Sequence, residues 1–182
     1  MISILLLICL TWSFYIGYSR GLILQGFYTL LAVVAVMIAS QSYQTLSKTI
    51  SLLVPYANAQ EGATTYFFSS QQLFELDQVF YAGIAFLLIY TVVYTVGRFV
   101  GIFLHVLPLN YLDDKKFNLL AGVCSVCVTL FGLQMVLTIL ATVPMGTIQN
   151  HLNASSLVRF LINHVPITSN LLKTLWVTKI IG

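Results

Sequence analysis

Four stretches of the chain are long enough to cross a lipid bilayer without one acidic or basic side chain. No water-soluble fold has room for them. They are residues 2–18, 22–40, 79–97 (VFYAGIAFLLIYTVVYTVG) and 117–143 (FNLLAGVCSVCVTLFGLQMVLTILATV), the last ended by Pro144. A helix crosses the hydrocarbon core in roughly 17 to 25 mostly apolar residues. Helix is the expected form because a segment surrounded by lipid must pair its own backbone polar groups. Composition agrees: 59% of the 182 residues are hydrophobic and 7% charged, where a soluble domain has about a quarter charged. The sequence therefore predicts an all-α membrane protein. Residues 1–144 form a four-helix transmembrane domain with short interfacial helices in the 41–78 loop, and residues 145–182 form an amphipathic interfacial tail. The net charge of +3 is spread thinly, so no basic stripe points to nucleic acid.

Between the first two runs lies YIGYSRGLILQG, where Arg20 stands between Gly17 and Gly21. Two helices joined within about four residues must reverse sharply, and glycine tolerates the backbone angles of such a turn. Arg20 then sits at the membrane surface, where its head can reach phosphates. It is read first as a turn and topology signal, and second as a lipid or partner contact. No Lys or Arg precedes Arg20 and the residues around Gly17 suit a signal peptidase poorly, so the first run reads as an uncleaved span. Arg20, Arg98, Lys115 and Lys116 lie near the spans on one side, against Lys48 and Arg159 on the other. The positive-inside tendency places the first group in the cytoplasm and both termini outside.

The connections carry helix signals of their own. QSYQTLSKTISLLVPYA, residues 41–57, is apolar enough to lie along the interface until Pro55. Asp77 suits the start of the third span, and Asp113 or Asp114 that of the fourth, because an acid favours the positive helix end. The third run continues past Arg98 as FVGIFLHVLPLNYL, an arm expected to bend at Pro108. In the tail, Ser155 or Ser156 can cap a short helix bearing Leu157, Val158, Leu161 and Ile162. A second helix carries Leu171, Leu172, Leu175 and Trp176. Both are too short to span, and an indole suits an interface.

Chemistry is scarce. Cys124-Ser-Val-Cys127 is a C-x-x-C, but it lies in an apolar span with no second cysteine pair and no cation to lower a thiol pKa. Cys9 is a lone apolar cysteine. His105, His151 and His164 sit in separate segments without carboxylates in register, so no catalytic, cofactor-binding or metal-binding set is expected. No acid falls within a span, and intramembrane acids are the usual mark of proton-coupled transport. Arg98 is the one charge placed to reach membrane depth; the simpler reading is that it ends the third span. Packing devices remain. Gly17-x-x-x-Gly21 and Gly97-x-x-x-Gly101, with Ala121-x-x-x-Ser125 as a milder version, place small residues on one helical face, where backbones approach closely in lipid.

In sum of motifs, GYSRG between the first two spans resembles the signature of the colicin V production protein (CvpA) family. So do the third span running into GRFVG…LPL, the FNLLAG opening of the fourth, and the tail VPMGTIQNHLNASSLVRFLINHVPITSNLLKTLW, which looks like that of Gram-positive members. The resemblance covers essentially the whole chain. It implies a multi-pass bacterial cell-membrane protein of a family named for a requirement in colicin V production and without an established enzymatic activity. The chain departs from the family pattern at the start of the fourth span. Ala121 and Ser125 stand where small residues, usually glycines, are common, and Val128 where a basic residue is expected.

Two functions follow as expectations. The first is a non-enzymatic scaffold or assembly factor in toxin production or export, or in envelope maintenance. Its partners would be membrane lipid and a second copy or another membrane protein. The alternative is a subunit of a small-solute transporter or channel formed by oligomerisation. That reading needs Thr11, Ser13, Gln25, Thr91, Thr95, Thr129, Gln134 and Thr138 to face a common path, whereas hydrogen bonding between helices uses the same residues without one.

Overall fold

A computed structural model describes residues 2–56, 65–69, 72, 75–104, 114–165 and 168–181. Four long helices account for the apolar runs: α1 Ile2–Arg20, α2 Leu22–Ile50, α3 Leu76–Leu104 and α4 Lys115–Thr142. All four are long and apolar enough to cross a membrane. With 19 residues, α1 is about 28 Å long, close to the roughly 30 Å hydrocarbon core. With 29 residues each, α2 and α3 reach about 43 Å and must project beyond it.

The projection explains where the expected interfacial helix of the 41–78 loop went. Residues 41–50 contain neither Gly nor Pro, so nothing breaks the helix as it leaves the apolar run. They continue α2, which keeps one face buried through Ala32, Ala35, Ala39, Tyr43 and Ile50. Its first three small residues let α2 approach the buried Ala82 and Ala85 of α3, the close packing that drives association in lipid. At the other end the helix of α3 does not stop at Arg98 but runs six residues past it to Leu104. The arm expected to bend at Pro108, and Asp113, lie outside the described residues. Asp114 occupies the N-cap of α4 but makes no side-chain capping bond. Asp77 falls in the first turn of α3, one residue inside the helix.

The helices associate as two antiparallel pairs, α1 with α4 and α2 with α3, joined through contacts of α4 with α2 and α3. Three short helices follow: α5 Gly146–Asn153, α6 Ser156–Asn163 and α7 Thr168–Leu172, the last running into a π-helical segment, Lys173–Thr178. Ser155 caps α6, its Oγ accepting from Val158 N. The tail closes two apolar cores. Val158, Leu161 and Ile162 of α6 and Leu152 of α5 pack with Leu6 of α1 and with Leu137 and Ala141 of α4. Leu172, Leu175 and Trp176 pack into the core of α2, α3 and α4. Trp176, expected at an interface, is fully buried. Its ring lies 5.7 Å from that of Phe86, in the space left by Gly83, where an added Cβ would stand 3.2 Å from Trp176 Cζ3.

Polar bonds fasten this end. The Tyr43 hydroxyl donates to Leu175 O at 2.6 Å, and Gln134 Nε2 donates to Ser169 Oγ at 2.7 Å. Gln149 Nε2 donates to Ala141 O and Val143 O, both at 2.9 Å, which satisfies carbonyls left open where α4 ends. The Tyr56 hydroxyl donates to Thr142 O at 2.7 Å. Burial, aided by the nearby Asp77 and Tyr81, pushes the Tyr56 hydroxyl up to about 12 and keeps it a donor.

Candidate functional site

Gly21 is the hinge of the α1–α2 turn. Its φ of 80° and ψ of 165° lie in a region essentially restricted to glycine, which is why only one residue separates two helices. An added Cβ there would meet only Asn118 Oδ1, at 3.7 Å. Space is therefore not the constraint; the backbone is.

Gly17, one turn earlier, works differently. It faces α4, where an added Cβ would overlap Ser125 Cβ and stand 2.8 Å from Ala121 O. The sequence-selected Gly17, Ala121 and Ser125 thus meet in one seam. Close approach lets Ser13 Oγ donate to Ser125 O at 3.0 Å. The same hydroxyl also lies 2.9 Å from Ser125 Oγ and 2.6 Å from Thr129 Oγ1. Gly97 and Gly101 do not meet glycines on a neighbour. They form hollows on α3 that receive side chains of α2: Leu31 fills the first, and an added Cβ at Gly101 would lie 2.7 Å from Tyr28 Cε1.

Tyr28, held against Gly101, gathers the two arginines. The guanidinium of Arg20 lies 4.9 Å from the Tyr28 ring centroid and that of Arg98 5.7 Å from the same centroid. Arg98 also lies 5.9 Å from the ring of Tyr94, one turn back on α3, and Tyr94 stacks on Tyr90. Among the described residues, neither guanidinium has a carboxylate within ion-pair distance. Both line a groove of about 480 Å³ bounded by α1, α3 and α4, with Gln25 of α2 at its base. Gln25 is 2% exposed, and its buried Oε1 has no hydrogen-bond partner. Val128, where the family resemblance leads one to expect a cation, lines the same groove.

Sequence reading selected both arginines and missed what joins them. Tyr94 stands four residues before Arg98, a spacing that puts both on one helical face, so that pairing was visible. Tyr28 was not, because its partners come from two other helices.

The remaining candidates stay apart. Cys9, Cys124 and Cys127 are free thiols, Cys127 exposed, and no group of three metal-ligating side chains occurs among the described residues. His151 Nδ1 bonds to Thr147 O of its own helix at 2.7 Å, and His164 stacks on Phe160. His105 lies outside the described residues. Of the polar set that a solute path requires, Ser13 and Thr129 bond to each other, and Thr138 donates to Gln134 O at 2.8 Å. Thr11, Thr91 and Thr95 point outward.

A model of the colicin V production protein family matches residues 2–166. Over 180 residues the chain is 26% identical to the uncharacterized transmembrane protein YshB of Bacillus subtilis (strain 168), with 97% of each chain covered. No solved structure matches the chain. The matched region takes in all four spans, the α1–α2 turn, both arginines and the first two tail helices, so this multi-pass membrane protein belongs to the colicin V production protein family.

Proposed function

We propose that the chain is a non-catalytic scaffold of the bacterial cell membrane, supporting toxin production or export, or envelope maintenance, through membrane-protein partners. The observation that carries this reading is the fate of its intramembrane polar side chains. Most of those that are buried hydrogen-bond to one another, to helix backbone or to the tail, as in Ser13–Ser125–Thr129, Thr138–Gln134 and Gln134–Ser169. Of the eight path candidates only Ser13, Gln25 and Thr129 line the arginine groove, and Thr11, Thr91 and Thr95 are exposed on outer faces. A transport path needs such groups aligned along a common cavity, whereas interhelical hydrogen bonds need them paired. Four spans are also few beside the repeated halves of most transporters.

In this reading the Arg20 turn and Lys115–Lys116 face the cytoplasm, and both termini and the tail face out. A cysteine at Ala59, in a background lacking the three native cysteines, should then react with a membrane-impermeant thiol reagent in intact cells; labelling only after lysis reverses the orientation. The function is tested by reconstituting the purified protein in liposomes while measuring its oligomeric state in mild detergent. Solute release should match protein-free liposomes, and deletion of the gene should be complemented by the wild-type chain in a bacteriocin-secretion or envelope-stress assay. Protein-dependent flux of a small solute would establish the transport reading instead.

A further inference from the structure

The groove beneath Arg20 and Arg98 has the chemistry of a lipid site. Two guanidinium groups stand over one tyrosine ring, within segments apolar enough to span the membrane. Charge carried against such segments is costly unless it is paired, and tyrosine faces supply only part of the compensation. Among the described residues that line the groove there is no carboxylate. Two cations on one groove suit an anionic ligand.

Its shape specifies which kind. Arg20 lines one end and Cys9 the other, eleven residues apart on α1, or about 16 Å along the helix. That matches one leaflet, half of the roughly 30 Å hydrocarbon core. Away from the arginines the wall turns apolar through Ile16, Trp12, Leu133 and Val136. Trp12 is 65% exposed, so the groove is open to the bilayer along its side. A free phosphate would satisfy the arginines and leave this wall bare, whereas an acyl chain covers it.

We infer that this groove binds one anionic glycerophospholipid from the leaflet on the side of the α1–α2 turn. The phosphate lies between Arg20 and Arg98, and an acyl chain lies along α1 beside Trp12. Guanidinium suits this role because its planar fork can hold two phosphate oxygens.

The test uses the full chain in vesicles of phosphatidylglycerol and phosphatidylcholine, with brominated acyl chains on one or the other. Bromine quenches tryptophan fluorescence on contact, so the ratio of quenching reports the relative binding constant of the two lipids near Trp12. A basic residue facing anionic lipid raises affinity by about fivefold, so the wild type should favour phosphatidylglycerol by roughly fivefold to 25-fold. Arg20→Gln with Arg98→Gln should bring the ratio to about 1. Lys115→Gln with Lys116→Gln should leave it unchanged. Added inorganic phosphate should not compete. A wild-type ratio near 1 overturns the inference without need of any variant. A preference that survives loss of both arginines, follows Lys115 and Lys116, or disappears with inorganic phosphate overturns it equally.

Discussion

Replacing Gly17 with alanine adds one methyl group to the seam between α1 and α4. That methyl would overlap Ser125 Cβ and stand 2.8 Å from Ala121 O and 3.1 Å from Gly122 Cα. Two of these three neighbours are backbone atoms and the third is bonded directly to backbone, so no rotamer change relieves the contact and the helices must separate. Overpacking of this kind costs about 1 to 3 kcal/mol. Separation also stretches the bonds from Ser13 Oγ to Ser125 O and Ser125 Oγ, at 3.0 and 2.9 Å, each worth about 0.6 kcal/mol in a membrane bundle. Alanine's better helix propensity returns about 1 kcal/mol, leaving a net loss of roughly 2 kcal/mol. The control is Gly26→Ala, where an added Cβ meets nothing within 4 Å and the propensity gain of about 0.5 to 1 kcal/mol stands alone. Unfolding of both proteins by sodium dodecyl sulfate, titrated into mild-detergent micelles and followed by circular dichroism, should separate them by about 2 to 3 kcal/mol. A difference below about 0.5 kcal/mol would refute close approach at Gly17 as the basis of the seam.

The hinge gives a second contrast: Gly21→Val should lose about 1 to 3 kcal/mol from its positive φ. Arg20→Lys keeps the cation beside Tyr28 and should lose less than about 1 kcal/mol in the same titration. Replacing Cys124 and Cys127 together with alanine should cost no more than about 1.5 kcal/mol, since the deleted atoms are few and one site is exposed; lost complementation at normal membrane abundance would point instead to a redox or metal role. Tyr56 supplies a pH test. Its hydroxyl titrates near 10 when unfolded and about 12 when folded, so its contribution is complete below pH 10 and is lost as pH rises from 10 through about 12. Melting temperature should therefore fall more steeply across that window in wild type than in Tyr56→Phe, and equal slopes would show that burial does not raise the Tyr56 hydroxyl.

The amino-acid order alone determined the membrane class, the number of spans and the turn at Gly21. Each of these depends on a local quantity: the length of an uncharged run against bilayer thickness, or one residue's allowed backbone angles. The same locality explains why Gly17, Ala121 and Ser125 could be selected as small residues but not paired, since one helical face has several possible neighbours. Only the tertiary structure decided that Gly17 meets α4, that Gly97 and Gly101 receive Leu31 and Tyr28, and that α2 continues to Ile50 because its buried face finds α3 and the tail. It also turned Trp176, whose amphipathic ring suggests an interface, into a core residue by placing it over Gly83. Arg20 and Arg98 are 78 positions apart in the chain and were legible singly as snorkelling cations. Their convergence on Tyr28 depends on three helices packing at once, and no local pattern encodes a juxtaposition made by three separate segments.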